Sequence, residues 1–195
     1  MKWDQISIRI AEHDDQAAFR ELYNYFFPGL LSFAQSFLKS KDQAEEVVSD
    51  VFVRLWQNRS ILPTIKSPSY YLYVATRHGC INMLKKEQRF NTLSIDQAGE
   101  THHFNFTDTR NDLVRRENLA HIAHVINNLP PKCRLVFRLI KEEGLKYKEV
   151  AGLLELSEKT VEAHMTLAMQ KIVEQLKLNL PEFKSYFLRR GKTGQ

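Results

Sequence analysis

Apolar residues recur along this chain at spacings of three and four, the period of an amphipathic helix. In the first such run, Phe19, Leu22, Tyr23, Phe26, Leu30, Phe33, Ala34, Phe37 and Leu38 form one wide apolar face. His13-Asp14-Asp15 stands before it, and either aspartate can cap a helix there. An acid also suits the positive end of the helix dipole. Pro28 is expected to kink this helix or to divide it in two. A second helix is predicted over about 42–58. Asp42 is its expected cap, and Glu45 completes a capping-box-like arrangement. Val47, Val48, Val51, Phe52, Leu55 and Trp56 line its apolar side.

Ser67-Pro68 predicts a third helix, with Ser as cap and Pro in the first turn, continuing to about Arg89. Its face carries Tyr70, Tyr71, Tyr73, Arg77, His78, Asn82, Lys85 and Lys86. Rings interleaved with cations suit single-stranded nucleic acid, because rings stack on bases while cations meet phosphates. The same spacing equally fits tyrosines half-buried in a core and lysines that solvate a helix end. Both readings stay open on spacing alone.

Helical periodicity then disappears. The stretch 90–115 is polar, acidic and rich in Asn and Thr, so it reads as a linker. Leu113 to Leu129 predicts a helix ended by Pro130-Pro131, and Lys132 to Glu142 another, ended by Gly144. Next, Val150, Ala151 and Leu154 give a short helix, Glu155-Leu156 a turn, and Ser157 a cap. Val161, His164 or Met165, Ala168 and Ile172 line the helix that follows. Helix, three-residue turn and capped helix make the helix-turn-helix pattern, which an ordinary helical hairpin shares. Small Ala151 permits close packing, and Val161 plugs the second helix onto the first. The expected fold is all-α. Two helical domains, 1–89 and 116–178, are joined by a flexible linker at 90–115, with a basic tail at 179–195.

Composition narrows the function classes. The 195 residues are 43% hydrophobic with 12 Phe, enough to bury a core. Gly and Pro number 7 and 6, which excludes collagen-like and low-complexity chains. The net charge of +5 leans toward an anionic partner. Residues 60–89 hold five basic side chains and one acidic one, so part of that excess lies on the third helix. Cys80 and Cys133 cannot build a disulfide framework and read as reduced thiols of a cytoplasmic protein. The N-terminus has no continuous apolar stretch, so no signal peptide is expected. The most apolar segment, Phe26 to Leu38, is too short to cross a bilayer.

Catalytic chemistry has no foothold. There is no Gly-rich phosphate loop, no GxSxG and no HExxH. His102-His103 lack partners at ligand spacing, so no metal is expected. No cofactor, no small-molecule substrate and no catalytic residue are expected either.

Three segments carry a family resemblance. AFRELYNYFFPGLLSFAQSFL with AEEVVSDVFVRLW, then YLYVATRHGCINMLKK, then LPPKCRLVFRLIKEEGLKYKEVAGLLELSEKTVEAHM stand in one order along most of the chain. They resemble regions 2.1–2.2, 2.3–2.4 and 4 of sigma-70 transcription initiation factors of the short, extracytoplasmic-function (ECF) group. The wording YLYVATRHGCIN is most similar to versions from the Bacteroidetes lineage.

The resemblance implies partners and residues. It implies core RNA polymerase (the β′ clamp region and the β subunit), promoter DNA and an anti-sigma factor. On the clamp side it implies Ser49, Asp50, Phe52 and Trp56. At the −10 element it implies Tyr70, Tyr73, Arg77, His78, Asn82 and Lys85, with 59–69 before them. At the −35 element it implies Lys146, Lys148, Ser157, Glu158, Lys159, Thr160, Glu162, Ala163 and Lys171. The chain departs from the family pattern at four places. His78 stands where Asn is common, Asn82 where Asp is frequent, Glu155 where Gly is usual and Leu167 where Arg is common. A stand-alone helix-turn-helix regulator is the competing reading. It would bind duplex DNA unaided with a steep salt dependence.

Overall fold

A computed structural model describes residues 2–91 and 123–179, and every regular element among them is helical. The chain divides into two compact units, Met1–Thr107 and Asp108–Gln195. Residues 92–115 of the expected linker, the tail from 180, His102-His103 and the predicted helical stretch 113–122 lie outside the described residues.

The first unit holds α1 (Trp3–His13), α2 (Gln16–Ala34), α3 (Lys41–Gln57), a 3-10 helix (Arg59–Thr64) and α4 (Pro68–Asn91). Sequence periodicity missed α1, because one apolar stripe on three turns is a weak signal. Ile6, Ser7 and Ile10 are its buried side, and it packs against the 3-10 helix. The indole Nε1 of Trp3 donates to the Ile65 carbonyl at 2.9 Å, fixing α1 to the segment before α4.

The two aspartates at the α1–α2 corner have different jobs. Asp15 caps α2, its carboxylate accepting from the Ala18 N–H at 3.0 Å. Asp14 closes α1 instead, in the left-handed region at φ 49°. Aspartate tolerates that conformation better than most side chains. α2 runs through Pro28 without dividing. The cap of α3 is Ser40, not the expected Asp42: the Ser40 hydroxyl accepts from Gln43 N–H at 3.4 Å. Asp42 lies in the first turn, where an acid still favours the helix dipole.

The core of this unit is built from Leu22, Phe26, Leu30 and Phe33 of α2, Val48, Phe52 and Leu55 of α3, and Leu72 and Tyr73 of α4. α4 packs against α3 at Gly79. A Cβ placed there would lie 2.6 Å from Cγ1 of Val47, a stiff and buried side chain. Alanine gains up to about 1 kcal/mol of helix propensity over glycine. Overpacking a filled core costs about 1–3 kcal/mol. Gly79→Ala is therefore expected to lower stability by about 1–2 kcal/mol in urea unfolding. Adding Val47→Ala should recover part of that loss, and simple additivity of the two changes would contradict the contact.

The second unit shows α5 (residues 123–127), α6 (Pro131–Lys141), α7 (Tyr147–Leu154) and α8 (Glu158–Asn179). Val125, Leu129, Cys133, Ala168 and Ile172 form one buried cluster, flanked by Ile126 and Phe137. In α7 the fully buried leucine is Leu153, at 1% exposure, and the expected Leu154 is half-buried. α7 is a short helix, and its buried set Val150, Ala151 and Leu153 clusters too tightly to fit a simple spacing rule.

Candidate nucleic-acid and partner interfaces

The helix-turn-helix is present and its turn is strained. Glu155 sits in the left-handed region at φ 54° and ψ 43°, and its backbone N–H bonds to the Ala151 carbonyl. The next N–H, of Leu156, reaches the same carbonyl at 3.0 Å. Gly144, after α6, takes φ +72° with nothing within 4 Å of a notional Cβ. These two positions give a matched prediction. Gly144→Ala should destabilise by about 1–2 kcal/mol, and Glu155→Gly should stabilise by about 0.5–1 kcal/mol, the left-handed cost less the glycine entropy. Equal shifts of one sign in thermal unfolding would contradict the turn geometry.

α8 is set by its cap and its plug. The Ser157 hydroxyl accepts from the Thr160 N–H at 3.0 Å and pairs with the Thr160 hydroxyl at 2.7 Å. Val161 is fully buried, with Met165, Ala168 and Ile172 continuing the inner stripe. This burial turns Ser157, Glu158, Lys159, Glu162 and Ala163 outward at the start of α8, with Thr160 half-buried. Lys146 and Lys148, at the start of α7, are also exposed. The Lys146 N–H donates to the Glu149 carboxylate at 2.8 Å. Lys171 is exposed but lies twelve residues beyond Lys159, about 18 Å along the helix. It belongs to a different stretch of α8. Leu167 is exposed at 40%, so the position is open even though it carries no charge.

His164, the alternative inner residue, is half-buried, and its Nδ1 lies 3.6 Å from the Cys133 sulfur. Burial pushes the Cys133 thiol up, and pushes that of Cys80 up to about 12. No group of metal-ligating side chains occurs among the described residues.

On α4 one expectation is corrected. Tyr73 is 2% exposed, edge-on to Phe33 with ring centroids 5.0 Å apart, and does not present a ring to solvent. The exposed ring is Tyr71. It shares a stripe with exposed His78, Asn82 and Lys85, at intervals of seven, four and three. That spacing was visible in the sequence and was masked by treating three neighbouring tyrosines as one face. Tyr70 and Arg77 are half-buried, on the flank of the stripe.

On α3 the outward row is Ser49, Asp50 and Val53, with Val53 exposed at 52%. Val53 was missed; its place four residues after Ser49 and three after Asp50 gave the signal. Phe52 is the second correction. It is 3% exposed, packed among Phe19, Tyr23 and Phe27, and belongs to the core. Its period-of-four relation to Val48 and Leu55's stripe turns it inward. Trp56 is half-buried. Phe19 meets its ring edge-on at 4.9 Å, and the Arg59 guanidinium lies over it at 5.0 Å.

The chain carries two helical units, the second with a helix-turn-helix. Residues 22–90 match the family described as Sigma-70 region 2, and residues 120–172 match Sigma-70, region 4. Together these spans cover more than half of the chain, which belongs to the sigma-70 family. Carrying regions 2 and 4, it is a sigma factor of the ECF group. A curated relative is the ECF RNA polymerase sigma factor RpoE of Cereibacter sphaeroides. It is 23% identical over 171 residues, 87% of this chain and 92% of the relative. Among solved structures, CnrH in complex with the cytosolic domain of CnrY aligns with a TM-score of 0.45. That match is 22% identical and covers 91% of this chain and 98% of the other. The sigma factor RpoE in complex with the anti-sigma factor NepR from Bartonella quintana aligns with a TM-score of 0.48. It is 20% identical and covers 83% of this chain and 98% of the other.

Proposed function

We propose that this sigma factor is a dissociable subunit that docks on core RNA polymerase through the outward row of α3. In this reading it directs the polymerase to promoters by reading and helping open a −10 element with α4 and a −35 element with α8. The observation that carries the proposal is the outward placement of two sets on one chain: the Tyr71, His78, Asn82 and Lys85 stripe of α4, and Glu158, Lys159, Glu162 and Ala163 of α8.

The chemistry of each stripe suits its target. Melting without a fuel molecule needs binding energy for unpaired bases, and a base stacked on a ring contributes about 1–3 kcal/mol. Tyr71 supplies the ring, Lys85 the phosphate contact, and His78 and Asn82 hydrogen-bonding edges. Tyr70 and Arg77 support the flank. In the major groove, Glu158 and Glu162 accept from cytosine amino groups, and Ala163 offers a methyl surface. Lys146, Lys148 and Lys159 meet phosphates, with Ser157 and Thr160 holding the helix start. Lys171 would serve a more distant phosphate.

The domain limits 1–89 and 116–178 belong to the same proposal, with a span of about 25 residues that reaches across a polymerase surface when extended. So does an anti-sigma partner that covers these faces until a signal arrives. The protein performs no reaction of its own in this account, and promoter opening is done by the holoenzyme.

Capture by core polymerase tests the docking. The wild-type chain should co-purify with core enzyme, and Asp50→Arg with Val53→Glu should weaken capture at least about tenfold, the scale of a lost interface hot spot. Both positions are exposed, so the melting temperature should stay near wild type. Tight duplex binding by the chain alone, with no capture, would replace the proposal with the stand-alone regulator.

A further inference from the structure

The end of α3 holds a cluster that the docking row does not explain. Arg59, the first residue of the 3-10 helix, makes three contacts from one guanidinium. Its Nε donates to the Asp14 carboxylate at the α1–α2 corner. Its Nη1 donates to the Trp56 carbonyl at 3.2 Å. Its Cζ lies over the Trp56 ring, 5.0 Å from the ring centroid. Phe19 of α2 meets the same ring at 4.9 Å, inclined at 62°. The indole thus contacts both a cation and an aromatic ring, near the end of the helix that carries Ser49, Asp50 and Val53.

We propose that Arg59 is a positioning residue that holds the Trp56 ring in its docking orientation, and that Asp14 holds Arg59. The inference rests on the docking role proposed above for α3, extended to Trp56 near its end. Three features support it. First, the Asp14–Arg59 pair is exposed, with side-chain exposures of 62% and 31%, and exposed ion pairs contribute little to stability. Its consequence is geometric. Second, a planar guanidinium both stacks on an indole and hydrogen-bonds a carboxylate in one conformation, which an ammonium cannot do. Third, Asp14 occupies a left-handed position that asparagine fills equally well. The backbone alone does not call for a carboxylate there. A partly exposed indole with several rotamers must be ordered on binding, at a cost that preorganisation removes.

The test uses the full chain with three variants, Arg59→Lys, Asp14→Asn and Trp56→Ala. The two indole N–H signals in a nitrogen–proton correlation spectrum, from Trp3 and Trp56, report ring order in the free protein. Arg59→Lys and Asp14→Asn should both lower the heteronuclear NOE of the Trp56 indole and leave that of Trp3 unchanged. Both should weaken binding to core polymerase by about threefold to tenfold, with the melting temperature nearly unchanged. In the Trp56→Ala background neither change should have any further effect on affinity, because the ring they position is gone.

Several outcomes overturn the inference. One is an unchanged Trp56 indole signal in both variants. Another is a loss of affinity in Arg59→Lys but not in Asp14→Asn, which would make Arg59 a direct contact. A third is full additivity with Trp56→Ala. If the wild-type chain does not bind core polymerase at all, the docking reading fails and the inference falls with it, whatever the indole signal shows.

Discussion

Tyr73→Ala is expected to destabilise the first unit by about 3–5 kcal/mol, the cost of removing a large ring from a packed core. Tyr71→Ala should leave the unfolding curve close to wild type. The ordering reverses for nucleic acid. Tyr71→Ala should weaken holoenzyme binding to a single-stranded −10 element by about 1–3 kcal/mol, the worth of one stacked base. Tyr73→Phe should leave that binding unchanged. The reason is register. Residues 71 and 73 differ by about 200° around α4, so one ring meets Phe33 and the other meets solvent. Urea unfolding and fluorescence anisotropy of a labelled strand check the two halves separately. A destabilising Tyr71→Ala, or a Tyr73→Phe that loses binding, would place the wrong face of α4 on the DNA.

Val161→Asp is the second large effect. Val161 is fully buried in α8, which packs against α7, and an aspartate there would put a carboxylate into the apolar interior. An uncompensated buried charge costs about 3–5 kcal/mol. A whole domain is held by about 5–15 kcal/mol, so much of the second unit's stability would be lost. Far-UV circular dichroism and thermal unfolding should show it directly, and binding to a −35 duplex by the holoenzyme should disappear. Val161→Ala should cost about 2 kcal/mol, two methyl groups plus a small cavity, and should keep binding at low temperature. Lys159→Ala should cost no stability and should reduce the salt slope of binding by about one. A folded Val161→Asp protein that still binds would show that α7 and α8 do not act as one helix-turn-helix.

Much of this was legible in the sequence, for identifiable physical reasons. Long apolar stripes gave α2 and α3, and Ser67-Pro68 gave the start of α4. Pro130-Pro131 and Gly144 bracketed α6, and Ser157 marked the start of α8. The turn at Glu155-Leu156 was also read from the pattern, and the structure puts Glu155 at φ 54°. What escaped was of two kinds. α1 is short, and its stability comes from contacts made far along the chain, such as Trp3 with Ile65. Local periodicity carries little of that. The other kind is rotational. Phe52 and Tyr73 have the right chemistry for a binding surface, but turn to the core by one position of helical phase. Val53 and Tyr71 stand one and two residues away and take the exposed places. The same limit applies to Arg59, whose partners Asp14 and Trp56 come from two separate stretches of chain.

Genome-wide start-site mapping tests whether this sigma factor redirects core polymerase to promoters. Core RNA polymerase would be incubated with fragmented genomic DNA from the source cell, with and without the protein, and the 5′ ends of the transcripts sequenced. The account predicts a new set of start sites, present only with the protein, sharing two upstream sequence elements spaced as −10 and −35. Asp50→Arg with Val53→Glu should remove that set. The same start sites with and without a folded protein, freed of any inhibitory partner, would contradict it.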